Sequence, residues 1–244
     1  MFETKSDFRE HYEKEAKVYD SVREQTTDGL WVAKQELIFL VANLKLRQGA
    51  MVLEAGCGTG RILLPLAIKG YKCFGIDPSQ QMLSKAHEKD LNSCLEGRLF
   101  IGDIENIPFP DDTFDGVYTV NVLQWLPDGY EKSFREMYRV AKNNATIIMD
   151  FPNSNSLWRI IKRAIKWRKE SNKSFNYEEL ENTFKKLTKN NFIIKSQFSY
   201  PQKFFKYKPL CFLASFIENM CPLPMKLRGK FYVVVTKNER CCGK

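Results

Sequence analysis

The sequence predicts an α/β fold in which a parallel sheet carries helices on both faces, and three observations support this fold class. Apolar segments of strand length alternate with amphipathic helical segments between residues 51 and 151. A glycine-rich turn follows the first predicted strand, and acidic residues follow the second and third. Because parallel neighbours need long crossover connections, strands and helices that alternate at this spacing are typical of a parallel sheet covered by helices.

Each element follows from its hydrophobic pattern. Near the N-terminus, residues 7–24 and 31–44 place apolar or aromatic side chains at helical spacing. The central part then predicts strands at 51–55, 72–76, 98–101, 115–120 and 145–151, with helices at 61–69, 79–89 and 130–141. Towards the C-terminus, a helix at 177–189 precedes two predicted strands at 192–200 and 231–236.

The first predicted strand runs into the stretch Glu-Ala-Gly-Cys-Gly-Thr-Gly at residues 54–60. Glycines at alternate positions let the backbone turn sharply and admit a ligand to a distance that any Cβ would block. The dinucleotide fingerprint Gly-x-Gly-x-x-Gly would require glycine where this chain has Arg61. The stretch therefore predicts a ligand-binding turn, with a nicotinamide-dependent dehydrogenase as the weakest alternative.

Carboxylates follow the next two predicted strands. Asp77 ends the second strand, and Asp103 follows the third. Because parallel strands end at one edge of the sheet, Asp77 is expected near the glycine turn, where it can accept hydrogen bonds from both hydroxyls of a ribose. Either acid alone fits a helix cap or a turn, but their coincidence at successive strand ends favours a nucleoside site.

With these residues, the chain resembles the class I S-adenosylmethionine-dependent methyltransferases, and within them the subgroup of ubiquinone and menaquinone biosynthesis. The resemblance covers roughly residues 10–150 and is looser beyond them. It rests on the segments 52–61, 75–79, 102–104, 107–109, 114–115 and 123–126. The subgroup often carries a pair of histidines where this chain has Gln124 and Trp125, a departure that concerns the substrate side of the site.

The resemblance implies a Rossmann-like seven-stranded sheet, mostly parallel with an antiparallel last strand, and a helical substrate cap. The last two predicted strands would form a hairpin at the sheet edge, which a nicotinamide-binding fold lacks. The whole chain, 1–244, would be one methyltransferase domain. Residues 1–30 would form an N-terminal helical cap, and 153–175 and 201–230 would be cap or lid insertions.

The resemblance also implies S-adenosylmethionine as the cofactor and indicates which residues bind it. Asp77 would accept hydrogen bonds from the ribose, Asp103 from the adenine amino group, and Asn121 would offer its carbonyl to the ammonium group. The full implied set lies near the strand ends or in the N-terminal helix: Tyr19, Glu54, Ala55, Gly56, Cys57, Gly58, Asp77, Pro78, Met82, Asp103, Ile104 and Asn121.

No residue stands out as a general base. The only histidines are His11 and His87, and the candidates to face the acceptor are His11, Tyr19, Gln124 and Trp125. Methyl transfer from a sulfonium is an in-line displacement that depends mainly on positioning, so an acidic phenol or an enol would need no strong base. The seven cysteines show no C-x-x-C spacing, and no metal site is expected.

Charge is divided unevenly along the chain. Residues 1–150 contain 18 Lys and Arg against 23 Asp and Glu, whereas residues 151–244 contain 20 against 6, so the net charges are −5 and +14. Residues 157–169 place apolar side chains on one helical face and cations around it, as in a helix that lies on an anionic membrane surface. The alternative is a lid whose apolar face packs on the domain.

The sequence therefore predicts an S-adenosylmethionine-dependent methyltransferase that acts on a small, amphiphilic or lipid-like acceptor. The alternatives are an RNA methyltransferase that uses the basic C-terminal part and a catalytically silent cofactor-binding protein, with nucleic acid the less favoured partner. The polar N-terminus and the lack of a membrane-spanning apolar segment predict a cytoplasmic protein. Peripheral contact with an anionic membrane through 157–169 and a lid that packs on the domain both stay open for that segment. Neither the acceptor atom nor the oligomeric state follows from the residues.

Overall fold

A computed structural model describes residues 10, 13, 14, 16, 19–21, 26–126, 129–164, 173–198 and 223–238. These residues build one sheet from seven strands: β1 (Met51–Ala55), β2 (Lys72–Asp77), β3 (Leu99–Ile101), β4 (Phe114–Thr119), β5 (Ala141–Pro152), β6 (Phe192–Gln197) and β7 (Lys230–Thr236). The strand order is β3-β2-β1-β4-β5-β7-β6. Strand β7 is antiparallel to both of its neighbours, and the other neighbouring strands are parallel. The predicted fold class is confirmed.

Helices connect the strands and cover the sheet: α1 (Thr27–Leu44), α2 (Leu63–Ile68), α3 (Gln80–Lys89), α4 (Glu131–Val140), α5 (Leu157–Ala164) and α6 (Tyr177–Thr188). Short 3-10 turns lie at Leu123–Trp125 and Met225–Leu227. Helix α1 begins earlier than the predicted residue 31, because the Thr26 hydroxyl caps it by accepting the Gly29 N–H at 3.2 Å. The prediction used apolar spacing and missed this polar start signal.

Strand β5 also begins earlier than the predicted residue 145. It follows α4 without a connecting loop, and Ala141 pairs with Phe114 before an irregularity shifts the register. Pairing then resumes between Thr146 and Gly116. The polar residues before Ala145 hid this extension, because they interrupt the apolar run by which a buried strand is recognised.

Apolar side chains cover both faces of the sheet. On one face, Phe134 of α4 and Leu180 and Phe184 of α6 are buried in a cluster with side chains of the strands. On the other face, Leu40 of α1 and Leu63 of α2 are buried in a second cluster. The sheet is thus the middle layer of three, as the alternating pattern predicts.

The strand order reverses between β1 and β4, which are neighbours in the sheet. The chain leaves β1 towards β2 on one side and leaves β4 towards β5 on the other. At such a switch point the connections diverge and leave a crevice at the carboxyl ends of the strands, where α/β proteins bind their ligands. The switch point therefore places the candidate functional site where β1, β2 and β4 end.

The predicted cap segments are described in part. In the N-terminal segment, residues 10, 13, 14, 16 and 19–21 are helical. Ala16 is buried, and the Glu13 carboxylate accepts the Gln80 N–H at 3.2 Å at the start of α3. The insertion at 153–175 contains α5, whereas most of the insertion at 201–230 lies outside the described residues. Among the described residues, no helix has both the length and the apolar character needed to span a membrane.

Candidate functional site

The glycine loop, residues 55–60, is the centre of the site. Gly56, Gly58 and Gly60 all have positive φ angles, of 80°, 51° and 74°. L-residues with a Cβ rarely adopt such angles, so the glycines are needed for this backbone path. The N–H groups of Gly56 and Cys57 both donate to the carbonyl of Ile76 in β2, at 2.8 and 3.0 Å. The loop is thereby fixed to the end of the neighbouring strand.

Asp77, the last residue of β2, completes this attachment. One oxygen of its carboxylate accepts the Gly58 N–H at 2.8 Å, and the other accepts the Ser79 N–H at 2.9 Å. The side chain is mostly buried. Burial raises the pKa of Asp77 to about 6, although the two backbone N–H groups act in the opposite direction. The predicted proximity of Asp77 to the glycine turn is a direct contact.

These hydrogen bonds restrict what the loop can bind. The N–H groups of Gly56, Cys57 and Gly58 are all used within the protein. A dinucleotide site offers such N–H groups to a pyrophosphate, which would here have to displace the bonds to Ile76 and Asp77. The loop geometry therefore favours a ligand that approaches the bare backbone and places hydroxyls, rather than phosphate, near Asp77.

The loop after β4 packs directly on Gly56. A Cβ built on Gly56 would lie 2.4 Å from Cγ2 of Val122, closer than real contacts allow. The close approach brings the ends of β1 and β4 together at the switch point. Val122 also lies next to Asn121, which the resemblance assigns to the cofactor's ammonium group, so the two loops that would enclose the cofactor touch each other.

Glu54 lies beneath the glycine loop and is almost fully buried. Its carboxylate accepts a hydrogen bond from the Tyr118 hydroxyl of β4 at 2.9 Å. Burial raises the pKa of Glu54 to about 8, against the opposing effects of Tyr118 and Arg61. A largely neutral carboxyl group in this position joins β1 to β4 directly beneath the glycine loop; a contact between Glu54 and the cofactor stays a prediction.

The remaining predicted cofactor residues lie around the ends of β2 and β3. Met82 and Ile104 are buried, and Pro78 is partly exposed. Asp103 accepts the Glu105 N–H at 2.9 Å, so its carboxylate supports a turn in addition to any contact with a ligand. The binding roles of these residues stay predictions.

Asn121 follows β4 and has a φ angle of 63°. Its backbone N–H donates to Asp150 at 2.8 Å, and its side-chain oxygen accepts from Lys230 Nζ at 2.9 Å. The side-chain amide lies 3.4 Å from Glu36. Asn121 is thus in contact with α1, β5 and β7, an environment that the sequence did not predict.

These contacts belong to a buried ion network formed by Glu36, Arg61, Asn121, Asp150 and Lys230. Glu36 pairs with Arg61 and with Lys230, both at 2.7 Å, and Lys230 lies 2.6 Å from Asp150. Burial would raise the pKa of Glu36, but the two cations outweigh it and lower the value to about 2. The pKa of Lys230 is raised, because Asp150 and Glu36 outweigh its burial.

Sequence reasoning missed this buried ion network. The sequence pattern assigns Arg61 no ion-pair partner, and it does not distinguish Lys230 from the many other cations of the basic C-terminal part. One signal was present: Glu36 lies four residues from both Val32 and Leu40, on the apolar side of α1. An acid on the buried side of a helix indicates a buried partner, although the pattern does not name that partner.

The candidate acceptor-facing residues are brought together only in part. Tyr19 is partly exposed and precedes Asp20, which accepts the Thr59 hydroxyl at 2.7 Å, so the N-terminal segment touches the glycine loop. Gln124 is buried and Trp125 is partly exposed, both in the 3-10 turn after β4. His11 lies outside the described residues.

The chain is similar to known methyltransferases. Residues 53–149 match the family described as a methyltransferase domain. The chain is 32% identical to a demethylmenaquinone methyltransferase of Symbiobacterium thermophilum over 57% of both chains. It is 25% identical to an uncharacterised protein of Methanocaldococcus jannaschii over 84% of this chain and 86% of the relative.

A solved structure described as an S-adenosylmethionine-dependent methyltransferase of Thermotoga maritima superposes with a TM-score of 0.63. It is 18% identical to the chain, and the match covers 93% of this chain and 98% of the other, a likeness that shows the fold alone. Several matches to relatives of named activity are partial: they span between 34% and 57% of those relatives' own length.

Proposed function

We propose that this chain, which carries a methyltransferase domain over residues 53–149 in a class I methyltransferase fold, transfers a methyl group from S-adenosylmethionine to a small amphiphilic acceptor. The observation that carries the proposal is the contact between the glycine loop and Asp77. A ligand with a bare-backbone contact at one end and ribose hydroxyls at the other fits this edge of the sheet, and the family match supports S-adenosylmethionine as that ligand.

The residues present fit the cofactor by their chemistry. The glycine loop provides a surface without side chains, and an ionised Asp77 has lone pairs left on both oxygens after it accepts one N–H on each. Asp103 lies at the end of the neighbouring strand, where the adenine would extend. Because the N–H groups of Gly56, Cys57 and Gly58 are already bonded, the site favours a nucleoside without phosphates.

S-Adenosylmethionine supplies a methyl group that is already activated on a sulfonium. The chain's own task is to hold the acceptor in line with that methyl group and to exclude water. Positioning of this kind can contribute about 7–11 kcal/mol to lowering a barrier in favourable cases. Asp77 would fix the ribose, and the 3-10 turn with Gln124 and Trp125 would form the wall on the acceptor side. Because the methyl group is already activated, an acidic acceptor would need no strong base.

Helix α5 supports an amphiphilic acceptor. Four residues separate it from the end of β5, at the edge of the sheet that carries the glycine loop. Leu157, Ile160 and Ile161 share one side of α5 and are 37%, 43% and 39% exposed. Apolar side chains that face solvent at the entrance of a site are suited to a lipid-like ligand. One of the relatives is a demethylmenaquinone methyltransferase, whose name gives a quinone as its acceptor.

The same helix supports contact with an anionic membrane surface. The exposed side of α5 is apolar, because Ile160 and Ile161 are exposed while the cations Arg159 and Lys162 are partly buried. Arg163 is exposed beside the apolar side, and further cations follow in the sequence. An outward apolar stripe flanked by cations is complementary to an anionic bilayer.

Transfer of label tests the enzymatic part of the proposal. The protein is incubated with S-adenosylmethionine labelled on its methyl group and with a cell extract divided into lipid and aqueous fractions. We expect label to enter a compound of the lipid fraction. Cofactor binding without transfer to either fraction would indicate the silent binding protein, and transfer to RNA alone would indicate the nucleic-acid alternative.

Sedimentation with vesicles tests the membrane part. Vesicles of phosphatidylcholine alone are compared with vesicles that also contain phosphatidylserine. We expect the protein to bind only the second kind and the double variant I160E/I161E to lose this binding. The matched control is I38E, since Ile38 is an exposed isoleucine on α1. Failure of the unmodified protein to bind, or binding by the double variant, would contradict the membrane contact.

A further inference from the structure

We propose that Lys230 and Asp150 are positioning residues that act on the cofactor site through Asn121. The inference rests on the proposed function, because it concerns how the loop after β4 is held against the glycine loop. Lys230 and Asp150 lie on β7 and β5, and neither belongs to the residues that the methyltransferase resemblance assigns to the cofactor. The geometry assigns them to the backbone conformation of Asn121.

The conformation of Asn121 is one that needs support. Its φ angle of 63° lies in the left-handed region, which residues other than glycine adopt at a cost. These torsion angles determine the plane of the peptide group that carries the Asn121 carbonyl, the group implied to meet the ammonium end of the cofactor. A change in the φ angle of Asn121 would therefore turn its carbonyl group away from the ammonium end of the cofactor.

Two buried groups hold Asn121 from both sides. Asp150 accepts the backbone N–H at 2.8 Å, and Lys230 donates to the side-chain oxygen at 2.9 Å. Lys230 and Asp150 are themselves paired at 2.6 Å and almost fully buried, so neither can move without exposing a charge to an apolar interior. The pair thus fixes the backbone and side chain of Asn121 together.

A displacement of Asn121 would act directly on the glycine loop. Val122, the next residue, lies where a Cβ on Gly56 would overlap it. Lys230 also pairs with Glu36 at 2.7 Å, and Glu36 holds Arg61 at the end of the glycine loop. Both walls of the proposed cofactor site are thereby connected to one buried ammonium group.

The test compares two substitutions of Asn121 in the full chain, with S-adenosylhomocysteine as the probe in titration calorimetry. N121A and N121G both remove the side-chain contacts, but only glycine adopts the left-handed conformation without penalty. We expect N121A to weaken binding roughly tenfold more than N121G, the ratio that corresponds to a penalty of about 1.4 kcal/mol. Equal affinities of N121A and N121G would overturn the proposal.

Asn144 provides the matched control, since its φ angle is 66° and it lies near the start of β5, at the end of the sheet opposite to the glycine loop. N144A and N144G should differ in thermal stability but bind S-adenosylhomocysteine equally. A difference in affinity between the two control variants would show that a general loss of stability explains the result at Asn121, and it would also overturn the proposal.

A double-mutant cycle then tests Lys230 itself. If Lys230 acts through the Asn121 side chain, K230M weakens binding in the unmodified chain but has little further effect in N121G. Additive effects would contradict this. Should K230M fail to fold, the comparison of N121A with N121G still tests whether the left-handed conformation of Asn121 is needed for binding, and equal affinities would still overturn the proposal. Absence of binding by the unmodified chain would refute the proposed function, a result distinct from equal binding by the two Asn121 variants.

Discussion

The glycine loop and helix α5 lie at the same edge of the sheet, but they are held in opposite ways. The loop is fixed by short hydrogen bonds from Gly56, Cys57 and Gly58 to the end of β2, and buried ion pairs lie behind it. Helix α5 has no buried residue, and its isoleucines face solvent. The first region is held in one geometry, as the proposed cofactor site requires, whereas the second presents an exposed surface.

This difference indicates how binding and specificity are divided along the chain. The acidic part, residues 1–150, provides the groups proposed to bind the cofactor, and these groups are mostly buried. The basic part, residues 151–244, provides exposed apolar and cationic side chains near the proposed acceptor entrance. A cofactor shared by many enzymes suits a fixed site, while the acceptor and its location depend on a surface that sequence changes alter at little cost in stability.

The largest effect should follow from removing the charge that anchors the fixed region. E36Q leaves Arg61 and Lys230 without a shared carboxylate, and breaking a buried ion pair costs about 3–5 kcal/mol of unfolding free energy. The pKa of Glu36 is lowered to about 2, so its contribution is present above its ordinary pKa and is lost as the pH falls towards 2.

Urea denaturation of the wild-type protein and E36Q at several pH values measures this contribution. The stability difference should be largest near neutral pH and should shrink as the solution is acidified from pH 5. A difference that stays constant with pH, or one below about 1 kcal/mol at pH 7, would mean that the network does not hold the glycine loop in the way described.

A Cβ at Gly56 should produce the next largest effect. G56A places a side chain 2.4 Å from Val122 and in a left-handed backbone, so both the overlap and the conformation oppose it. We expect a loss of about 2–4 kcal/mol in stability, together with at least tenfold weaker binding of S-adenosylhomocysteine.

G97A is the control for G56A. Gly97 also has a positive φ angle, but a Cβ there would meet nothing within 4 Å. G97A should lose only the conformational part, about 1–2 kcal/mol, and should bind the probe normally. Equal binding by G56A and G97A would show that the close contact between the two loops is unimportant for the ligand.

The titration of Asp77 should produce a smaller change. Burial raises its pKa to about 6, so the carboxylate that would accept ribose hydroxyls is protonated below that pH. Affinity for S-adenosylhomocysteine should therefore increase roughly tenfold between pH 5 and pH 7. The stability effect has the opposite sign, since a raised pKa favours the folded chain at low pH and this advantage is lost as the pH rises through 6.

The pH dependence should disappear in D77N, which carries no titrating group at this position. Calorimetric titrations of wild-type protein and D77N at both pH values measure it. An affinity of the wild-type protein that does not change with pH would contradict an ionised Asp77 as the ribose ligand, and a profile retained in D77N would assign the titration to another group.

The smallest effect should come from helix α5. I160A removes an apolar side chain that is already 43% exposed, so the unfolding free energy should change by less than about 0.5 kcal/mol. Thermal denaturation measures it. A loss of more than about 2 kcal/mol would show that Ile160 is buried in solution, and it would remove the contrast with the glycine loop.

Much of the fixed region could be predicted from the sequence because its signals are local. Three glycines at alternate positions indicate an unusual backbone. Asp77 ends β2, which pairs with β1, the strand that precedes the glycine loop. The contact between Gly58 and Asp77 joins residues only 19 positions apart. A motif with such short-range geometry determines its own structure, so the fold class and the edge of the site followed from it.

The buried ion network could not be predicted in the same way. Lys230 contacts Glu36 across 194 positions, and nothing in either local sequence names the other. Lys230 is also the first residue of an apolar strand, so in the sequence it reads as the ordinary polar residue at which an apolar run begins, and nothing marks it as buried. The apolar side of α5 was identified correctly from its spacing, but spacing does not state whether that side packs inward or faces solvent, because this depends on the elements that lie around it.

Calorimetric titration of S-adenosylhomocysteine into three proteins tests the central claim most directly. The unmodified chain should bind, and D77A should bind at least tenfold more weakly, since it loses a buried acceptor. D90A should bind like the unmodified chain, because Asp90 is a comparably buried acid that accepts the Cys94 and Leu95 N–H groups away from the loop. No heat with the unmodified chain, or equal affinities of D77A and D90A, would contradict the account.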